Sequence, residues 1–139
     1  MNEGNRTIKF VGILNDHEQG LVKIGRPLTD YRIDEGIQHD DFERVLSYLN
    51  TGRVVIAFLH YVSDKQNNPI VPLIFYTDGA WIWPSYLAYY YSNKYYSMIP
   101  HEFIADMKNN NFIVPRVTEE QFADVQKVYV TTYDPNRNR

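Results

Sequence analysis

Apolar runs separated by short polar breaks divide the chain into alternating strand-like and helix-like stretches. Residues 7–14 and 21–28 are rich in β-formers and flank the polar stretch Asn15-Asp16-His17-Glu18-Gln19-Gly20, which predicts an antiparallel hairpin with a long loop. Asp40 stands where an N-cap belongs, with Glu43 as the capping-box partner. Phe42, Val45, Leu46 and Leu49 then share one helical face before Asn50-Thr51-Gly52 ends the helix. Residues 54–62 are β-branched and aromatic without strict alternation, the pattern of a strand covered on both faces. A second strand is expected over 70–77. Its Pro72 cannot donate to a ladder and belongs at an edge, a bulge or the first residues.

Asp78-Gly79 marks a tight turn into Ala80-Trp81-Ile82-Trp83, and Pro84 launches a short helix over 85–91 that carries Tyr86, Leu87, Tyr90 and Tyr91. Pro100 starts another helix, with Phe103, Ile104 and Met107 on its apolar side and Asn109-Asn110-Asn111 at its end. A last helix begins at Thr118 with a capping box completed by Gln121; it buries Phe122 and Val125 and gives way to a closing strand over 127–133. Strands in hairpin order with helices between them argue for an α+β fold, a mainly antiparallel sheet with three to four short helices packed on it. The expected domain is single, spanning 1–139, with its ordered core about 7–133 and a tail at 134–139.

Composition narrows the function classes. At 139 residues and a net charge of −3, the chain has no Cys, so it carries neither a disulfide framework nor a thiolate nucleophile, in keeping with a cytoplasmic setting. The longest apolar stretch, 54–62, is far short of the roughly 20 residues a membrane helix needs, and the first six residues do not read as a secretion signal. The 14 Lys and Arg residues form no cluster, which disfavours nucleic acid. The seven glycines make neither a P-loop nor a dinucleotide fingerprint, and no Gly-x-Ser-x-Gly elbow surrounds any serine. His17, His39, His60 and His101 lie too far apart to hold a metal from one helix, so neither a metal nor a cofactor is expected. His60, within a strand, could act as a base if Asp64 or Asp78 fixed its tautomer, although a hydrogen-bonded structural histidine is the commoner outcome.

Two features stand out. Tyr76, Trp81, Trp83, Tyr86, Tyr89, Tyr90, Tyr91, Tyr95 and Tyr96 put nine Trp and Tyr residues within 21 positions. Trp81 and Trp83 alternate with Ile82 and share a strand face, either as a core wall or as the floor of a cleft. Tyr86, Tyr89, Tyr90 and Tyr91 diverge around their helix too widely to enter one core, so some should be exposed. The segment 30–43 holds six acids against Arg32 alone, a local charge of −5 that suits either helix capping or the steering of a basic partner.

The stretch Tyr76-Thr77-Asp78-Gly79-Ala80-Trp81-Ile82-Trp83-Pro84, followed by Leu87 and Tyr89-Tyr90-Tyr91 and later by Ile99-Pro100 and Phe103, resembles a group of small uncharacterised bacterial proteins with a Thr-Asp-Gly-x-Trp-x-Trp-Pro motif before a Tyr-rich helix. The resemblance implies a small cytoplasmic bacterial protein, in some cases an immunity partner in a toxin system. It brings no catalytic residue.

The leading expectation is a non-enzymatic protein-binding module, of immunity type against a basic toxin domain. Its contact residues would be Asp78, Trp81, Trp83, Tyr89, Tyr90 and Tyr91 together with Asp34 and Glu35. The alternatives are a small-ligand protein or hydrolase with an aromatic cleft around Trp81, Trp83 and His60, and a homodimer joined through the Tyr helix.

Overall fold

The computed structural model describes residues 7–17, 21, 24–34 and 40–133. In chain order it contains β1 (Lys9–Phe10), α1 (Phe42–Leu49), β2 (Arg53–Ser63), β3 (Pro69–Thr77), β4 (Trp81–Pro84), α2 (Tyr86–Ser92), α3 (His101–Asn109) and α4 (Glu119–Thr132), with single 3-10 turns at Leu28–Asp30 and Tyr96–Met98. The sheet runs β1-β4-β3-β2. β2, β3 and β4 are antiparallel neighbours, and β1 adds to β4 in parallel through Lys9↔Trp81 and Phe10↔Ile82. The fold is α+β with a mostly antiparallel sheet and, among the described residues, four helices.

Alternation along the strands assigns the two sheet faces. Tyr76 pairs with Trp83 across β3 and β4, and both indoles of β4 look toward α3: Phe103 lies 4.7 Å from Trp81 and 5.4 Å from Trp83, ring centre to ring centre. Tyr48 of α1 closes the same layer 6.0 Å from Trp83. The neighbouring positions Phe75 and Phe10 point the other way and meet Tyr129 of α4, at 5.3 and 6.4 Å. Helices therefore cover both faces of a small sheet. Each aromatic pair adds about 0.5–1.5 kcal/mol beyond its buried area, so this interior is held largely by rings.

Four expectations are corrected. Among the described residues the expected hairpin over 7–28 does not form; 18–20 and 22–23 lie outside them. Of the described residues in this stretch only Lys9 and Phe10 enter the sheet, Gly12 turns the chain with φ +75°, and Leu14 meets Arg26 in an isolated parallel bridge. A Cβ at Gly12 would come within 2.8 Å of Leu87 Cδ1, so the chain passes close over α2. Val11, Ile13, Leu14 and Leu21 are buried, and the Leu14 N–H donates to Tyr86 Oη at 2.9 Å instead of to a second strand. The apolar residues that suggested strands are satisfied by burial in the core instead of by strand pairing.

The second correction concerns β2, an edge strand in which Val62 alone is buried and the other side chains are half-buried or exposed rather than covered on both faces. Its pairing with β3 shifts register between Val54 and Ile56, Ala57 and Tyr61, and Val62 and Ser63, which scrambles alternation without burial. Bulges of this kind also blunt an open edge against stray strand pairing. Pro72 of β3 lies opposite Tyr61 beside one of these shifts and beyond the reach of β4, one of the settings it requires.

Third, residues 127–133 continue α4 to Thr132. Val125 and Tyr129, one helical turn apart, share the face that packs on the sheet, and this outweighs the β-branched character of Val128, Val130 and Thr131. Fourth, the capping box at the start of α1 is absent. Asp41, not Asp40, is the N-cap, and its carboxylate pairs with Arg44 at 2.6 Å instead of capping a backbone amide. The second capping box is present. Thr118 Oγ1 accepts from Gln121 N–H at 3.1 Å, and Gln121 Oε1 accepts from Thr118 N–H at 2.8 Å.

Candidate binding cleft

The Thr77–Pro84 motif is a folding device. Gly79 takes φ +97°, which favours glycine. Thr77 Oγ1 donates to Trp81 O at 2.7 Å and accepts from Gly79 N–H at 2.9 Å. Asp78 Oδ1 accepts from the N–H groups of Ala80 and Trp81 at 2.9 and 2.8 Å, and Oδ2 accepts from Tyr48 Oη at 2.6 Å. Burial, with Asp78 as the bonded neighbour, pushes the Tyr48 phenol well above its ordinary value. Each indole N–H is used as well: Trp81 donates to Asp106 Oδ2 at 2.8 Å and Trp83 to Leu49 O at 2.9 Å. Ser85 ends the cassette by donating to Pro72 O at 2.6 Å while accepting from Ile74 N–H at 3.1 Å.

These contacts correct the expected contact face. Trp81, Trp83 and Asp78 are buried and committed to the turn and core, so the Trp pair is a core wall and not a cleft floor. Tyr90 and Tyr91 are 6% and 1% exposed; Tyr91 stacks on Phe42 at 5.3 Å, and burial raises its phenol to about 12. On α2 the expected divergence takes the form of three buried tyrosines, Tyr86, Tyr90 and Tyr91, and one partly exposed, Tyr89 at 37%. Tyr86 and Tyr90 enter beneath the 11–17 segment, while Tyr91 turns toward α1. The contact of Tyr90 with solvent is limited to the edge of a cleft.

Asp34 is exposed, with its N–H donating to Lys94 O, on a different rim from Tyr89. Glu35 and His39 lie outside the described residues. Within the acidic segment, Asp30 pairs with Arg26 and Asp41 with Arg44. His60 is exposed on β2 against Phe58, and the carboxylates expected to orient it are engaged elsewhere. Asp64 caps its own loop by accepting from Gln66 and Asn68 N–H, both at 2.9 Å, while Asp78 staples the β3–β4 turn. Among the described residues no group of three or more His, Asp or Glu side chains could hold a metal, and no helix is long and apolar enough to cross a membrane.

What the fold does assemble is an open cleft of about 560 Å³ lined by the 16–17 turn, Ile33, the loop 63–66 and the end of α2 through Tyr95. On its wall His17 Nε2 lies 2.6 Å from Tyr90 Oη, and the imidazole also packs 4.9 Å from the Tyr86 ring. Burial lowers the His17 pKa, only partly offset by the adjacent Asp16, which favours the neutral ring beside the Tyr90 hydroxyl. Tyr90 in turn is raised to about 12, first by burial and then by the field of Tyr89, Asp16, Tyr95 and Asp64. Tyr89 and Tyr95 stand almost perpendicular to Tyr90, at 86° and 84° with centroid distances of 5.1 and 5.6 Å. The three rings enclose a corner of the cleft.

Of the expected contact residues that are described, only Tyr89 and Tyr90 belong to this cleft. Asp16, His17, Asp64 and Tyr95 were missed, because the His17–Tyr90 contact spans 73 positions and follows no local pattern. Fold and cleft together define a small α+β protein with an aromatic-walled, acid-rimmed cavity. Comparison with protein-family models, curated proteins and solved structures returns no match for the chain.

Proposed function

We propose that this chain is a non-enzymatic protein-binding module whose contact face is the rim of the Tyr89–Tyr90–Tyr95 cleft. The observation that carries this reading is the rim itself: exposed Ile33 and partly exposed Tyr89 flank a cavity whose wall is fixed by the His17–Tyr90 hydrogen bond. Interfaces concentrate their energy where an aromatic-lined pocket accepts one protruding partner group, and a prefixed wall lowers the cost of ordering. The likeness of the Thr77–Pro84 motif to small bacterial proteins extends the proposal to an immunity-type role in the cytoplasm, with a toxin domain as partner. The motif itself contributes stability to that role and no contact.

The test is affinity capture from the native host with the wild-type chain and with the Tyr89→Ala and Tyr61→Ala variants. One protein held by the wild type and by Tyr61→Ala but lost with Tyr89→Ala supports the reading. Equal capture by all three contradicts it, because Tyr61 is an exposed tyrosine on β2 that does not line the cleft.

A second reading, a small-ligand protein, keeps one specific support. The cavity volume falls in the range of about 300–1,000 Å³ usual for ligand sites. In that reading the ligand sits at Tyr89 and His17, not at Trp81, Trp83 and His60.

A further inference from the structure

The cleft combines two features that recur where positive charge is bound. The rings of Tyr89 and Tyr95 each stand nearly perpendicular to that of Tyr90, and among the described residues two carboxylates, Asp16 and Asp64, share the lining with one ammonium, that of Lys65. Ring faces carry negative potential and attract a cation within about 6 Å, the more strongly when water is excluded. His17 adds no compensating charge, since its buried ring favours the neutral form.

Both carboxylates are fixed. Asp16 Oδ1 accepts from Leu28 N–H at 2.8 Å, and Asp64 Oδ1 from two amides of its own loop, so their positions are set before anything binds. A planar guanidinium suits such a corner better than a compact ammonium, because it can stack on a phenol face while its edge donates in a fork to a carboxylate.

We infer that the cleft is a receptor for an alkyl guanidinium group, either an arginine side chain on a partner protein or a free guanidine compound. This rests on the binding role proposed for the cleft and adds the charge and shape of its occupant.

The test is a titration of the 15N-labelled full chain with three probes: N-butylguanidinium, the uncharged N-butylurea, and a blocked Gly-Gly-Arg-Gly-Gly peptide. The amide signals of Tyr89, Tyr90, Asn93 and Tyr95 are followed. Both guanidinium probes are expected to shift these signals and saturate, with the urea at least tenfold weaker. Asp64→Asn, which keeps the loop-capping carbonyl oxygen, should weaken the charged probes several-fold and leave the urea unchanged. A peptide at least tenfold tighter than butylguanidinium assigns the site to a protein partner, and equal affinities assign it to a free guanidine compound.

Equal binding of the urea and the guanidinium overturns the charge inference while leaving the cleft as a binding site. No shift with any probe also overturns it, and the capture experiment with Tyr89→Ala then decides the wider reading by itself.

Discussion

Removing one oxygen atom from Tyr48 probes the turn that organises the sheet. Tyr48 is fully buried, and its hydroxyl donates to Asp78 Oδ2 at 2.6 Å while accepting from Asn110 Nδ2 at 3.2 Å. Tyr48→Phe keeps the ring against Trp83 and Phe103, so the cavity contribution is small and the loss is that of the hydrogen bond. A bond to a charged acceptor is worth about 1.5–3 kcal/mol, which sets the expected destabilisation at about 2 kcal/mol. An unfolding entropy of about 2.1 cal/mol/K per residue gives about 0.29 kcal/mol/K for 139 residues, so Tm should fall by about 7 °C.

The assay is urea unfolding of the wild type, Tyr48→Phe, Asp78→Asn and the double variant. Asn at position 78 preserves the acceptor for the Ala80 and Trp81 amides, so the cycle isolates the phenol–carboxylate pair. A coupling of about 1.5 kcal/mol is expected from the lower end of that range. A coupling near zero would refute the argument that Asp78 serves the turn through Tyr48.

Gly79→Ala should cost about 1–3 kcal/mol from its φ of +97° alone, since the added Cβ would find only ordinary contacts at 3.8 Å and beyond; thermal unfolding measures it. Thr118→Ala removes the N-cap oxygen of α4 and should cost about 1 kcal/mol in the same assay. His17 has its folded pKa depressed below the ordinary 6.5, so the stability it contributes is present above that value and is lost as the pH falls through it. His17→Gln should therefore lessen the drop in unfolding free energy between pH 7 and pH 5 relative to wild type. Tyr90 and Tyr91 are raised to about 12, so their share of stability is present below pH 10 and lost as pH rises toward 12; absorbance at 295 nm should show them ionising after the exposed tyrosines.

Where local chemistry decided the structure, the chain could be read directly. Thr118 and Gln121 cap α4 as their spacing demands, Asp78-Gly79 makes the turn, and Pro84 precedes a helix. The α+β class followed from these signals. Long-range packing decided the rest. Val11, Ile13 and Leu14 look like a strand by composition but are buried in the core outside any strand, and the β-branched end of α4 stays helical because Tyr129 must reach Phe10 and Phe75. The aromatic excess was visible. Its division into core and cleft was not, because it depends on which side of α2 the 11–17 segment crosses. That crossing buries Tyr86 and Tyr90, sets His17 on the Tyr90 hydroxyl and leaves Tyr89 at the rim.

The central claim is that the tyrosine corner by His17 is open for binding while the double-Trp motif is closed core. Hydroxyl-radical footprinting of the full chain, alone and with the blocked arginine peptide, tests it most directly. Tyr89 and Tyr95 should be modified in the free chain and protected by the peptide, with Trp81, Trp83, Tyr86 and Tyr91 scarcely modified in either state. Modification of Trp83 and Tyr91 in the free chain, or a Tyr89 signal indifferent to the peptide, would contradict the account.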